Sequence, residues 1–272
     1  MDKNQKINLS IIIILGCIYF CLMIPANATG AKTLQMLSIF EVDEYAQYGH
    51  VLRMLTPGET LYQSIRNFFV YLHYFYGYPF YFFSAILLFP LKLLSGSNWP
   101  ADTQTIVCWL RQTVSVLPMI AAAGMLVWMT TRFKRRYFSI GLFVFLLTLP
   151  GVILNNFWWH PDSLSVFFIT LVFFFLDRDQ LRIGRNFRAA AAACGVAVGI
   201  KYAGLYFAAA IPVYLVIGSV ARKITLKQMI LHGLVFVMIL MAFVVISNPL
   251  LLLPQERAEI IRTQQLQFEQ TG

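Results

Sequence analysis

Apolar runs long enough to cross about 30 Å of hydrocarbon recur from one end of this 272-residue chain to the other, and they constrain its fold more than any other feature. Hydrophobic residues make up 59% and charged residues 12%, about half the charge of an ordinary soluble domain, which excludes a soluble globule. In lipid every backbone polar group must be paired within its own segment, so runs of this kind fold as helices. The expected architecture is all-α: a polytopic transmembrane bundle of about seven spans, near 8–26, 109–131, 137–154, 162–176, 188–201, 203–219 and 229–247. Residues 1–272 form one such module.

The cations orient it. Thirteen of the 21 basic residues fall in short segments: Lys3 and Lys6, then Arg132 to Arg136, Arg178 to Arg188, and Arg222 to Lys227. All lie on one side if the N-terminus is inside, as the positive-inside rule expects. The net charge of +9 is therefore a topology signal and a headgroup contact, not a nucleic-acid surface. One stretch, Tyr78 to Leu94, is apolar enough to be a further span. Counting it would reverse every later loop, and Pro79, Pro90 and Lys92 suit an interfacial or re-entrant helix. Residues 27–108 are therefore expected as one long outer loop hugging the membrane. Within it Tyr45 to Leu55 repeats apolar residues at helical spacing, which predicts an amphipathic juxtamembrane helix ended by Thr56-Pro57-Gly58.

The first span has the basic start of a signal peptide and a cleavage-like Ala26-Asn27-Ala28, but its length and the spans that follow favour a retained helix. Asn27-Ala28-Thr29 is a sequon of a kind frequent by chance. The four cysteines lack metal-ligand spacing and read as packing residues without a disulfide framework. Ala189 to Ala193, Gly195 and Gly199 predict a tightly packed helix that turns near Lys201. Beyond Asn248-Pro249, residues 248–272 form an outer segment, helical from Gln255. It reaches Gly272 without a stop signal, as a longer protein or a truncated relative would.

Ionisable residues near the bilayer are costly unless paired, so each is a candidate. Asp43 and Glu44 either cap the helix they open or serve as a catalytic base in a membrane-proximal cleft. His160 and Asp162 follow Trp158 and Trp159. They either anchor and cap a helix at the interface or contact a sugar or a metal, with Trp158 or Trp159 offering an apolar face to the sugar. Arg111, at the outer end of its span, either snorkels or contacts an anion. Lys201 has no acid near it in sequence, and a lipid phosphate would supply its partner. His50, His73 and His232 read as incidental.

Several of these elements, in order, resemble the GT-C superfamily of integral-membrane glycosyltransferases, which includes the protein O-mannosyltransferases and the aminoarabinose transferases of lipid A. They are Val42-Asp43-Glu44-Tyr45-Ala46 after the first span, Tyr76 to Pro79 where relatives often carry a His-Pro-Pro-like sequence, and Trp109-Leu110-Arg111. His160-Pro161-Asp162, Gly195 to Lys201-Tyr202 and Asn248-Pro249 complete the series. The resemblance covers the chain as the N-terminal seven-span module of that fold. It implies transfer of a sugar from a polyprenyl-phosphate carrier to a lipid, glycan or protein hydroxyl on the outer face, with inversion. Asp43 would be the general base, with Glu44 beside it. Lys201 and Arg111 would hold the carrier phosphate, and Asp162, His160, Trp159 and Tyr202 would line the pocket. Some relatives need a divalent metal and others do not; one Asp-Glu pair does not decide between them, and Asp43 and Asp162 are the expected ligands if a metal is used. The implied setting is the bacterial inner membrane. Here the His-Pro-Pro-like element is reduced to Tyr78-Pro79, and the further spans and soluble C-terminal domain of most relatives are missing. The competing readings are a transporter or flippase of lipid-linked saccharides, for which the sequence carries no repeat, and a truncated non-catalytic relative.

Overall fold

The computed structural model describes residues 1–271, and among them the secondary structure is helical, without strands. A capping box between Asp2 and Gln5 opens α1 (Lys3–Thr29), which runs unbroken through Pro25. Short helices follow on one end of the molecule: α2 (Leu34–Phe40), α3 (Val42–Met54), α4 (Leu61–Phe69) and then α5 (Tyr78–Ser95). The apolar stripe read at Tyr45 to Leu55 is α3, which buries Tyr48, Val51 and Met54. Next comes α6 (Thr103–Leu110), which continues through one π turn (Arg111–Val116) into α7 (Leu117–Thr131).

The remaining helices are α8 (Arg136–Thr148), α9 (Pro150–Asn155), α10 (Pro161–Asp179) and α11 (Arg185–Ile200). A 3-10 stretch (Tyr202–Ala209) leads into α12 (Ala210–Val220), followed by α13 (Leu226–Ser247) and α14 (Pro254–Thr271). The small residues of α11 let it nest between α10 and α13. A methyl group on Gly195 would lie 2.5 Å from the Leu240 carbonyl oxygen, so only glycine permits this approach.

Among the described residues five helices are long and apolar enough to cross a membrane: Lys3–Thr29, Tyr78–Ser95, Thr103–Thr131, Tyr202–Val220 and Leu226–Ser247. Tyr78–Ser95 thus meets the length and composition of a span, which the sequence reading withheld from it. Three expected spans do not meet that description. Residues 137–154 break at Leu149-Pro150 into α8 and α9, α11 has only 16 residues, and α10 carries acids at both ends, Asp162, Asp177 and Asp179.

Contacts define two ends of the bundle. At the cation-rich end, the Gln5 and Asn8 amides donate to the carbonyls of Arg132 and Phe133, Arg132 pairs with Asp177, and Lys223 donates to the Gln180 carbonyl. Asp179, 2% exposed, accepts from the N–H groups of Ile183, Gly184 and Phe187 and from the Tyr214 hydroxyl, which fixes the α10–α11 turn. At the opposite end, Asn27 donates to the Asn156 carbonyl, Gln104 to that of Ala28, and Asn248 to that of Gly199. Asn27 is wholly buried, so the sequon is closed to modification in the folded chain.

Both termini of α5 belong to this second end. The Tyr78 N–H donates to Asn248 Oδ1 (2.9 Å), the Trp109 indole donates to the Leu87 carbonyl, and Lys92 donates to the Leu55 carbonyl. A helix of 18 residues is about 27 Å long. Hydrogen bonds from its first and last turns tie it to Asn248 and to Leu55.

Candidate functional site

Four pieces of chain converge at the second end: the first turn of α3, the aromatic segment 70–77, the start of α10 and the C-terminus of α11. Glu41 closes α2 and opens α3 in one sharp joint, which puts Asp43 and Glu44 in the first helical turn, where a carboxylate suits the helix dipole. Burial and the neighbouring acids Glu44 and Asp43 push the Glu41 carboxyl up, against Arg111. Successive residues on a helix face different ways, so the two acids of the pair separate. The Asp43 side chain is 52% exposed, whereas Glu44 has no exposure.

Glu44 is a structural anion. Its oxygens accept from Arg111 Nε (2.8 Å) and Nη2 (2.5 Å), and Oε1 also accepts from the Trp159 N–H (2.5 Å). Arg111 Nη1 donates to the Asn27 carbonyl (3.1 Å), so the buried guanidinium is engaged on both sides. This corrects the expectation for three residues. Glu44 is not a free base, and Arg111 has found its anion within the chain. Trp159 is buried, stacked on Phe80 with its indole N–H on Ser84, and offers no face to a sugar.

The remaining residues form a line. The Asp43 carboxylate lies 4.0 Å from His160 Nε2, and the Tyr76 hydroxyl lies 2.8 Å from the same nitrogen. On the other side of the ring, Nδ1 lies 3.1 Å from Asp162 Oδ2, a close approach off the hydrogen-bond direction that leaves Nδ1 without a hydrogen-bond partner. Asp162 Oδ1 in turn accepts from Lys201 Nζ at 2.5 Å. Lys201 is thus not the lone cation its sequence neighbours imply; its partner comes from α10, 39 residues away. His160 is the extended N-cap of α10 and Pro161 its first residue, a favourable helix start, and the His160 ring is buried. Trp158 stacks flat on that ring, 4.1 Å between centroids, and takes the role expected of Trp159 as the aromatic neighbour of the site.

The sequence reading named Tyr76 only as the start of the Tyr76 to Pro79 element, without a role of its own, and passed over Ser84. Burial first, then Asp43 and Asp162, raise the Tyr76 phenol, which stays a neutral donor or acceptor to His160. Beyond that element, the available signal was the density of aromatics from Tyr71 to Tyr81. His73, read as incidental, is hydrogen-bonded to Tyr81, and burial with His50 beside it holds it down at about 4.

Beside Lys201 opens a cavity of about 320 Å³ walled by Tyr71, Tyr74, Tyr202, Ile200 and Val244. Tyr202, 56% exposed, stands at its edge. The polar helix α14, which starts at Pro254 as expected to within a residue, closes one side. Glu256 accepts from the Tyr74 hydroxyl, and Gln264 donates to the Tyr74 carbonyl (2.7 Å). Among the described residues no group of three or more His, Cys, Asp or Glu side chains is disposed to hold a metal ion. Asp43 and Asp162 stand on opposite sides of His160, and Lys201 pairs with Asp162. Comparison with protein-family models, curated proteins and solved structures finds no match to this chain.

Proposed function

We propose that this chain is the membrane module of a GT-C-like glycosyltransferase that moves a sugar from a polyprenyl-phosphate carrier to a hydroxyl acceptor, with inversion. The observation that carries the reading is the convergence of a half-exposed carboxylate, Asp43, with His160, Asp162 and Lys201 beside an aromatic cavity at one end of a helical bundle. In this reading seven helical passes cross the bilayer: α1, α6–α7, α8–α9, α10, α11, the 3-10 stretch with α12, and α13. Thirteen basic residues face the cytoplasm of a bacterial inner membrane, and the site faces outward.

The chemistry follows from the geometry. An ammonium has three donors, and Asp162 uses one of those on Lys201. The others reach a phosphate oxygen of the carrier and stabilise its growing charge as the bond from the anomeric carbon to the phosphate oxygen breaks. From the opposite face the acceptor oxygen bonds to that carbon while its proton passes to Asp43. One displacement inverts the centre, the proton ends on Asp43, and the electron pair leaves on the carrier phosphate. His160, held by Tyr76 and Trp158, fixes the distance between the carboxylate and the lysine. The bilayer holds the lipid tail, so the protein recognises the headgroup.

The test is transfer of radiolabelled sugar from polyprenyl-phosphate donors in membranes, comparing wild type with Asp43→Asn. A general base contributes about 10²–10⁴-fold, so transfer should fall by at least about a hundredfold while carrier binding persists. Unchanged transfer removes Asp43 from the chemistry. No transfer by wild type with any donor favours the transporter or the non-catalytic relative.

A further inference from the structure

At the cation-rich end, remote from this site, a second cavity of about 370 Å³ lies between α1, α7 and α8. Its walls are apolar: Ile12 and Ile13 from α1, Ile120 and Met125 from α7, Phe143 from α8. A methyl group added to Gly124 would meet nothing within 4 Å, so the floor at this point is open. The cleft runs from Met1 and Phe133 at the end of the bundle to Ile13 and Ile120 in its middle. From Trp128 to Ile120 is eight residues of helix, about 12 Å, close to the depth of one leaflet of a ~30 Å core.

The mouth of the cleft carries charge of one sign. Lys3 and Lys6 follow Met1, and Lys134, Arg135 and Arg136 follow Phe133; all five are exposed. The acids at this end are occupied. Asp177 is paired with Arg132, and Asp2 caps α1. An apolar slot one leaflet deep beneath unneutralised cations fits one chemistry: an acyl chain carrying an anionic headgroup. We propose that this cleft is a binding site for an anionic phospholipid, with one acyl chain seated over Gly124 and the phosphate among Lys3, Lys134 and Arg135. The site is independent of the sugar-transfer reading.

Trp128 lines the cleft and reports on it. The full chain is reconstituted in phosphatidylcholine vesicles containing either dibrominated phosphatidylglycerol or dibrominated phosphatidylcholine at equal mole fraction. Quenching assigned to Trp128, by difference from Trp128→Phe, should favour phosphatidylglycerol. Gly124→Leu fills the slot and should abolish Trp128 quenching by either lipid above the level of bulk chains. Lys134→Gln with Arg135→Gln leaves the slot intact and should lower the preference for phosphatidylglycerol by about fivefold per cation removed. Equal quenching by the two lipids, or a preference that survives Gly124→Leu in protein that unfolds at the wild-type temperature, would overturn the proposal. If Gly124→Leu fails to fold, the double glutamine variant decides, and an unchanged preference there refutes it.

Discussion

At the residue scale the adjacent acids Asp43 and Glu44 have opposite duties, and a stability measurement separates them. Glu44 neutralises an arginine that is 2% exposed and accepts a backbone N–H as well. Removing one partner of a buried pair leaves an uncompensated charge, at a cost of about 3–5 kcal/mol. Glu44→Gln should therefore lower the unfolding temperature in detergent sharply. Asp43→Asn, at a half-exposed position, should change stability by less than about 0.5 kcal/mol. A Glu44→Gln protein that is as stable as wild type yet inactive would instead make Glu44 a chemical participant. The sequence marked both acids, because acids are rare in this chain. It could not divide them, since the partner of Glu44 lies 67 residues away and only the packed bundle brings Arg111 to it. The same distance problem concealed the Asp162–Lys201 pair. A chain can advertise an ionisable group near a bilayer, but it cannot say whether another part of the same chain already neutralises it.

At the scale of elements, the aromatic segment 70–77 is clasped to the helix ends behind it. The Gly77 N–H donates to the Ile200 carbonyl, and the Tyr78 N–H donates to Asn248, which itself donates to the Gly199 carbonyl. A methyl group on Gly77 would stand 1.6 Å from the Gly199 carbonyl oxygen, so backbone must move. Gly77→Ala should cost about 1–3 kcal/mol or more as overpacking and pull Tyr76 away from His160. Gly141, on α8, meets nothing, and Gly141→Ala should instead stabilise by about 0.5–1 kcal/mol. Chemical denaturation of the two variants checks both signs, and equal effects would mean the clasp does not hold the segment. Elements with local signals were legible: the stripe of α3, the small-residue face of α11, the turn at Lys201 and the polar α14. The clasp was not, because Gly77 and Asn248 resemble ordinary loop punctuation until three segments meet.

For the whole molecule the direction of each pass turns on α5. By length and composition α5 can cross a membrane, but its first turn is bonded to Asn248 and its last to Leu55, both at the same end of the bundle. The two descriptions give opposite topologies. If α5 crosses, every later loop changes side, and the cations Arg132 to Arg136 move to the face opposite Lys3 and Lys6. Their backbone contacts with Gln5 and Asn8 forbid that, since those residues lie in the first turns of α1. Side chains of α5 pack against Trp109, Trp159 and Phe168, and that burial accounts for part of its apolar composition. Impermeant thiol labelling of sealed vesicles tests the topology, with the native cysteines replaced by alanine. Single cysteines at Lys32, Ser95 and Asp43 should all react from one side, and one at Arg135 only after the membrane is opened. Labelling of Ser95→Cys from the side opposite Lys32→Cys would make α5 a span and reverse the passes that follow. Asp43 and Lys201 would then face different compartments, and no single substrate could bridge them.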